Sequence, residues 1–131
     1  MIASAQSAAG LGRIGQIHVT VRNLARATKF YRDSLGVPFL FQVPHMAFFD
    51  CGGTRLMLGE PETPEGPVHA SILYFSVPDI QDAYAALSGR GVEFAGEPHL
   101  VAKMETYDLW MAFFKDSEGN TMAVMSEVAH T

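Results

Sequence analysis

The sequence predicts an α+β domain built from two tandem β-α-β-β-β modules. Three observations carry that reading. Strand-like and helix-like runs follow the same order in each half, a proline-rich stretch separates the halves, and three segments recur between them. Val21-Arg22-Asn23-Leu24-Ala25-Arg26-Ala27 returns as Val77-Pro78-Asp79-Ile80-Gln81-Asp82-Ala83, Gly36-Val37-Pro38-Phe39 as Gly91-Val92-Glu93-Phe94, and Met46-Ala47-Phe48-Phe49 as Met111-Ala112-Phe113-Phe114. Matches in one order mark an internal duplication.

In the first half, residues 16–21 alternate with a two-residue period and read as a strand. Asn23 is an N-cap for a helix over 24–35, whose apolar positions Leu24, Ala27, Phe30 and Tyr31 recur at helical spacing. Gly36 stops it, where a left-handed residue is needed. Residues 37–43 form a strand, Pro44-His45 a turn, and residues 46–50 the next strand. Gly52-Gly53 makes a hairpin turn back into residues 54–58. Residues 60–67 hold Pro61, Pro64 and Pro67, and proline removes backbone donors, so this stretch is a linker.

The second half repeats the plan. Residues 70–77 are a strand, and Asp79 caps a helix over 80–88 that Gly89 and Gly91 end. Residues 92–95 are a strand, 98–104 a loop or strand, and 109–115 a strand. Residues 116–120 are a turn, and 121–125 close the sheet. The expected division is a loose tail over 1–13 and a single domain over 14–128. Module one is 14–60, the linker 60–68 and module two 69–128.

Composition narrows the function classes. A chain of 131 residues, 48% hydrophobic and 18% charged, suits one self-sufficient core. A net charge of -5 with no basic run excludes a nucleic-acid backbone binder and mildly favours a cationic or neutral small ligand. No apolar run approaches the roughly 20 residues of a membrane span, and the first residues lack the pattern of a signal peptide. The single cysteine, Cys51, forms no internal disulfide and reads as a small half-buried residue. The expected location is the cytoplasm.

The segment Ile17-His18-Val19-Thr20-Val21-Arg22-Asn23-Leu24, followed by Ala27 and Phe30-Tyr31-Arg32-Asp33-Ser34-Leu35-Gly36, resembles the vicinal oxygen chelate superfamily of glyoxalases, bleomycin-resistance proteins and dioxygenases. Val77-Pro78-Asp79-Ile80 and Phe114-Lys115-Asp116-Ser117-Glu118-Gly119-Asn120 extend the resemblance over residues 15–128. It implies a curled eight-stranded mixed sheet with a central pocket, a small-molecule ligand and a homodimer. In metal-dependent members the first and fourth strands of each module carry the ligands, and the corresponding positions are Gln16, Ile72, Met57 and Ala123. A hard divalent ion wants carboxylate or imidazole donors. Met57 is soft, and Ile72 and Ala123 offer no donor. A shift of two residues brings in His18 but also Gly59, Tyr74 and Met125. The expectation is therefore a pocket with no metal and no cofactor.

Seven residues are candidates for lining it: Gln16, His18, Phe49, Met57, Tyr74, Trp110 and Phe114. His18 shares a strand face with Gln16. It either orients a ligand, acts as a general base, or is a histidine satisfied within the sheet. Tyr74 is the repeat-mate of His18, and either meets a ligand or is a core aromatic. Trp110 is either a stacking platform or core. His99, Lys103 and Glu105 belong to a loop rim or to a solvated loop, and His45 and His69 carry no assigned role. The competing reading is a lyase, isomerase or dioxygenase with a relocated divalent metal site.

Overall fold

In the computed structural model, which describes residues 10–61, 63 and 71–130, the duplication folds as two sheets, one per module. The first contains β1 (Gln16–Thr20), β2 (Phe39–Val43), β3 (Met46–Cys51) and β4 (Thr54–Gly59) in the order β1-β4-β3-β2. The second contains β5 (Tyr74–Ser76), β6 (Glu93–Phe94), β7 (His99–Lys103), β8 (Tyr107–Lys115) and β9 (Thr121–Ala129), in the order β5-β9-β8-β6 with β7 also paired to β8. In each module the first strand pairs parallel with the last, and the other pairs are antiparallel. The expected eight-stranded curl is thus realised as a four-stranded and a five-stranded sheet. Expected strand 92–95 shrinks to β6, and the ambiguous stretch 98–104 becomes β7. The expected tail falls on residues outside the described ones up to residue 9, and most of the linker does likewise.

The helices form where their caps place them. Asn23 accepts from the Arg26 N–H at 3.0 Å and opens α1 (Leu24–Lys29). The helix then widens into one π-type turn, Phe30–Ser34, in which the Leu35 N–H reaches back to the Phe30 carbonyl. Gly36 ends it with φ at 74°. Asp79 caps α2 (Ile80–Gly89) by accepting from the Gln81 and Asp82 N–H groups.

Each helix covers one face of its own sheet. Leu24, Ala27 and Tyr31 are buried with Val19, Ala47, Phe49, Leu56 and Leu58, while Ile80 and Leu87 are buried with Ala112, Phe114, Met122 and Val124. These side chains form one continuous core across the modules.

A polar latch locks the modules together. Asp116, buried in the β8–β9 turn, accepts from the Tyr31 hydroxyl at 2.7 Å, from Asn120 Nδ2 at 2.9 Å, and from the Glu118 and Asn120 N–H groups at 2.8 Å each. Asn120 Nδ2 also donates to the Thr20 carbonyl at 3.3 Å. Burial, reinforced by the Asp116 charge, pushes the Tyr31 hydroxyl far above its ordinary range, so it serves as a neutral donor. Beside it, Glu118 accepts from the Arg22 and Asn23 N–H groups ahead of α1 and pairs with Arg26 at 2.7 Å. Burial raises the Glu118 carboxyl, but the bonds from Arg26, Asn23 and Ser117 outweigh it and hold the group below its usual value.

The two halves of this latch differ in worth. Arg26 is 57% exposed while the Glu118 carboxylate is 1% exposed. The Arg22 and Asn23 N–H groups and the Ser117 hydroxyl still satisfy that carboxylate without Arg26, so the pair contributes about 1 kcal/mol or less. A hydrogen bond to a buried charge contributes about 1.5–3 kcal/mol. Tyr31→Phe is therefore expected to lower stability by about 2 kcal/mol, and Arg26→Gln by less than about 1 kcal/mol. Urea unfolding at constant slope measures both. A larger loss for Arg26→Gln would contradict this ranking.

Candidate functional site

Strand alternation leaves the other face of each sheet without a helix. On the first sheet His18, Met57, Phe48 and Phe41 lie directly opposite one another across β1, β4, β3 and β2, and so share that face. Gln16, Arg55 and Asp50 form the next row, and Thr20, Gly59, Met46 and Val43 the row beyond. The His18 ring packs against Gly59, where a Cβ would come within 2.6 Å of Nε2. Gln16 Nε2 is 4.0 Å from the Met57 sulfur. Phe41 and Phe48 stack at 4.6 Å, and the Arg55 guanidinium sits 5.9 Å from the Phe48 centroid.

The second sheet offers a matching wall. Tyr74, Ala123 and Phe113 form one row, and Ser76, Met125, Met111 and His99 another. Tyr74 meets Phe113 edge-on at 6.0 Å, and the His99 ring stacks on Phe113 at 6.4 Å.

Four of the seven sequence candidates thus lie on helix-free faces: Gln16, His18 and Met57 together on the first sheet, and Tyr74 on the second. The other three do not. Phe49 and Phe114 are 0% and 2% exposed and fill the core beneath the helices. Phe49 packs on Tyr31 and Phe39, and Phe114 on Phe94. Trp110 packs on the helix side, beside Ile80 in the first turn of α2. The cause is parity: in each Met-Ala-Phe-Phe repeat, Phe48 and Phe113 share a face with the methionine, while the second phenylalanine turns inward. A one-residue slip reverses the assignment of a whole strand. Arg55 was also missed, although its two-residue spacing from Met57 sets it on the same face.

Between the modules lies a cavity of about 410 Å³, lined by Ile17, Arg55 and Leu56 from the first and by Ile72, Tyr74 and Phe75 from the second. That size falls within the usual range for small-molecule sites. A smaller cavity of about 210 Å³ lies behind the sheets, lined by Leu35, Val37, Leu87 and Phe114 with Arg90. The Arg90 Nε–H there donates to the Ser34 carbonyl at 2.8 Å.

The residues at the four resemblance-derived metal positions do not fit a hard divalent ion. Gln16 offers an amide and Met57 a thioether, while Ile72 and Ala123 offer only alkyl groups. Among the described residues no three His, Cys, Asp or Glu side chains gather in a way that would hold a metal. His99 and Glu105 supply no replacement set: His99 faces Phe113, and its Nδ1 lies 3.2 Å from the Glu97 carbonyl.

Known proteins share this architecture. The chain is 28% identical over 123 residues to the uncharacterized protein YraH of Bacillus subtilis (strain 168), covering 83% of this chain and 94% of that one. A member of the glyoxalase/bleomycin resistance protein/dioxygenase superfamily from Sphaerobacter thermophilus superposes with a TM-score of 0.73 at 24% identity, covering 89% of this chain and 98% of that one. Lactoylglutathione lyase from Agrobacterium tumefaciens superposes with a TM-score of 0.69 at 18% identity, covering 88% and 94%. At such identities the structural likenesses speak for the fold. The family model for the Glyoxalase/Bleomycin resistance protein/Dioxygenase superfamily matches residues 13–124. Duplicated modules, first-to-last parallel pairing and that match over most of the chain agree, and the chain belongs to this superfamily.

Proposed function

We propose that the protein binds a small aromatic or amphipathic molecule against its helix-free sheet faces, without the hard divalent ion of metal-dependent relatives. The observation that carries this reading is a substitution of chemistry. Where ion ligands belong in those relatives, this chain has an amide, a thioether and two alkyl groups, surrounded by Phe48, Phe113 and Tyr74. Apolar burial contributes about 25 cal/mol per Å², so a flat ligand covering such a wall needs few polar contacts for orientation. Gln16, His18 and the Tyr74 hydroxyl supply them. Tyr74 is 46% exposed, which leaves its ring free to receive a ligand.

A homodimer in the cytoplasm belongs to the same proposal. Among the described residues no helix is long and apolar enough to cross a membrane. The edge strand β2 exposes Phe39, Leu40, Phe41 and Val43, each by more than a third. An apolar edge of this kind is a liability unless another surface covers it.

Two measurements test the proposal. Calorimetric titration with 2-naphthoate and its neutral and cationic analogues is expected to reveal saturable binding that survives dialysis against EDTA and weakens by about tenfold in Tyr74→Ala, the loss of one stacking aromatic. Stoichiometric Ni, Zn, Mn or Fe whose removal abolishes binding or a turnover would instead support a metal-dependent lyase, isomerase or dioxygenase. Light scattering is expected to give twice the chain mass, falling to the single mass in Leu40→Lys. A monomeric wild type would contradict the dimer.

A further inference from the structure

We infer that the ligand is a planar aromatic carboxylate whose anionic group is held by Arg55, an assignment that rests on the binding reading above. The three inner rows of the first sheet's helix-free face carry Gln16, His18 and Thr20 on β1, Arg55, Met57 and Gly59 on β4, and Met46, Phe48 and Asp50 on β3. Arg55 is the one permanent cation among these nine. Its direct cross-strand neighbour is Asp50, the obvious partner to neutralise it, yet among the described residues the two form no ion pair. Asp50 Oδ1 instead accepts from the Gly53 N–H at 3.1 Å within the hairpin turn.

The Arg55 guanidinium carbon instead sits over the Phe48 ring, 5.9 Å from its centroid. A guanidinium over a ring is drawn to its face, and a guanidinium can meet a carboxylate with two parallel bonds. Arg55 also lines the cavity of about 410 Å³ that Tyr74 enters from the other module. Among the described residues the Tyr74 hydroxyl has no hydrogen-bond partner, so it is free to donate to the same anion. A ring stacked against the first sheet's aromatics thus brings a carboxylate on its edge toward a fixed cation and an uncommitted donor. The net charge of -5 favours cations only at long range. Within a Debye length of about 8 Å the local pattern matters more, and there Arg55 stands beside an Asp50 carboxylate that is hydrogen-bonded to the Gly53 N–H.

Titration calorimetry at one ionic strength with 2-naphthoate, 2-naphthamide and 2-naphthylmethylammonium tests the assignment. 2-Naphthoate is expected to bind about tenfold more tightly than 2-naphthamide, about 1.4 kcal/mol, and the ammonium most weakly. In Arg55→Gln the naphthoate-to-naphthamide ratio is expected to fall within about twofold, while Arg32→Gln, remote from both sheets' open faces, keeps it. Far-ultraviolet circular dichroism checks that each variant is folded. Equal binding of acid and amide by the wild type, or a preference that persists in Arg55→Gln, would overturn the carboxylate assignment and leave the binding reading standing. Failure of all three probes to bind would overturn both.

Discussion

The Asp116 carboxylate is the contact on which the arrangement of the two modules depends. Each module alone is a small sheet with one face under a helix, too little to make an independent core. Asp116 draws the Tyr31 hydroxyl of module one into a turn of module two, and Asn120 ties the same turn to the end of β1. The buried charge is tolerable because both oxygens are satisfied by four donors.

Strand alternation separates the core from the open face on each strand. Residues of one parity meet a helix and build the core, and residues of the other parity remain available. That division explains how a duplicated core can be retained while its uncovered walls change chemistry. Gln16, His18, Arg55 and Met57 alternate with Ile17, Val19, Leu56 and Leu58, so they are free to vary without touching the packing beneath them. Gly59 extends the same logic, because only a residue without a side chain lets the His18 ring lie across β4.

What the sequence disclosed follows how local each signal is. Asn23 and Asp79 as caps, Gly36 and Gly91 as helix stops and Gly52-Gly53 as a hairpin depend on a few neighbouring residues, and the structure has each in place. The duplication was legible because three repeated segments span both modules, and the superfamily because motifs such as residues 30–36 and 114–120 resemble it. The site was legible in part. His18 and Met57 share the helix-free face, as the unbroken alternation along β1 and β4 requires. Phe49 and Phe114 were assigned to the wrong face, because two adjacent phenylalanines give alternation nothing to distinguish. Trp110 was open between two readings because a lone large aromatic serves a core as well as a pocket, and its packing against the core decides for the former. Arg55 shared the parity of Met57 in the sequence, but its place over Phe48 is a tertiary contact that alternation does not reveal. The latch likewise joins residues 85 apart in sequence, which no local pattern reveals.

The central claim is that ligand meets the helix-free faces while the core stays closed. Methionine-methyl NMR during titration with 2-naphthoate tests this most directly, because Met57 lies on the open face and Met122 is fully buried in the core. The account expects the Met57 methyl to shift progressively while Met122 and the Trp110 indole hold still. Movement of Met122 and Trp110 with a stationary Met57 would contradict it.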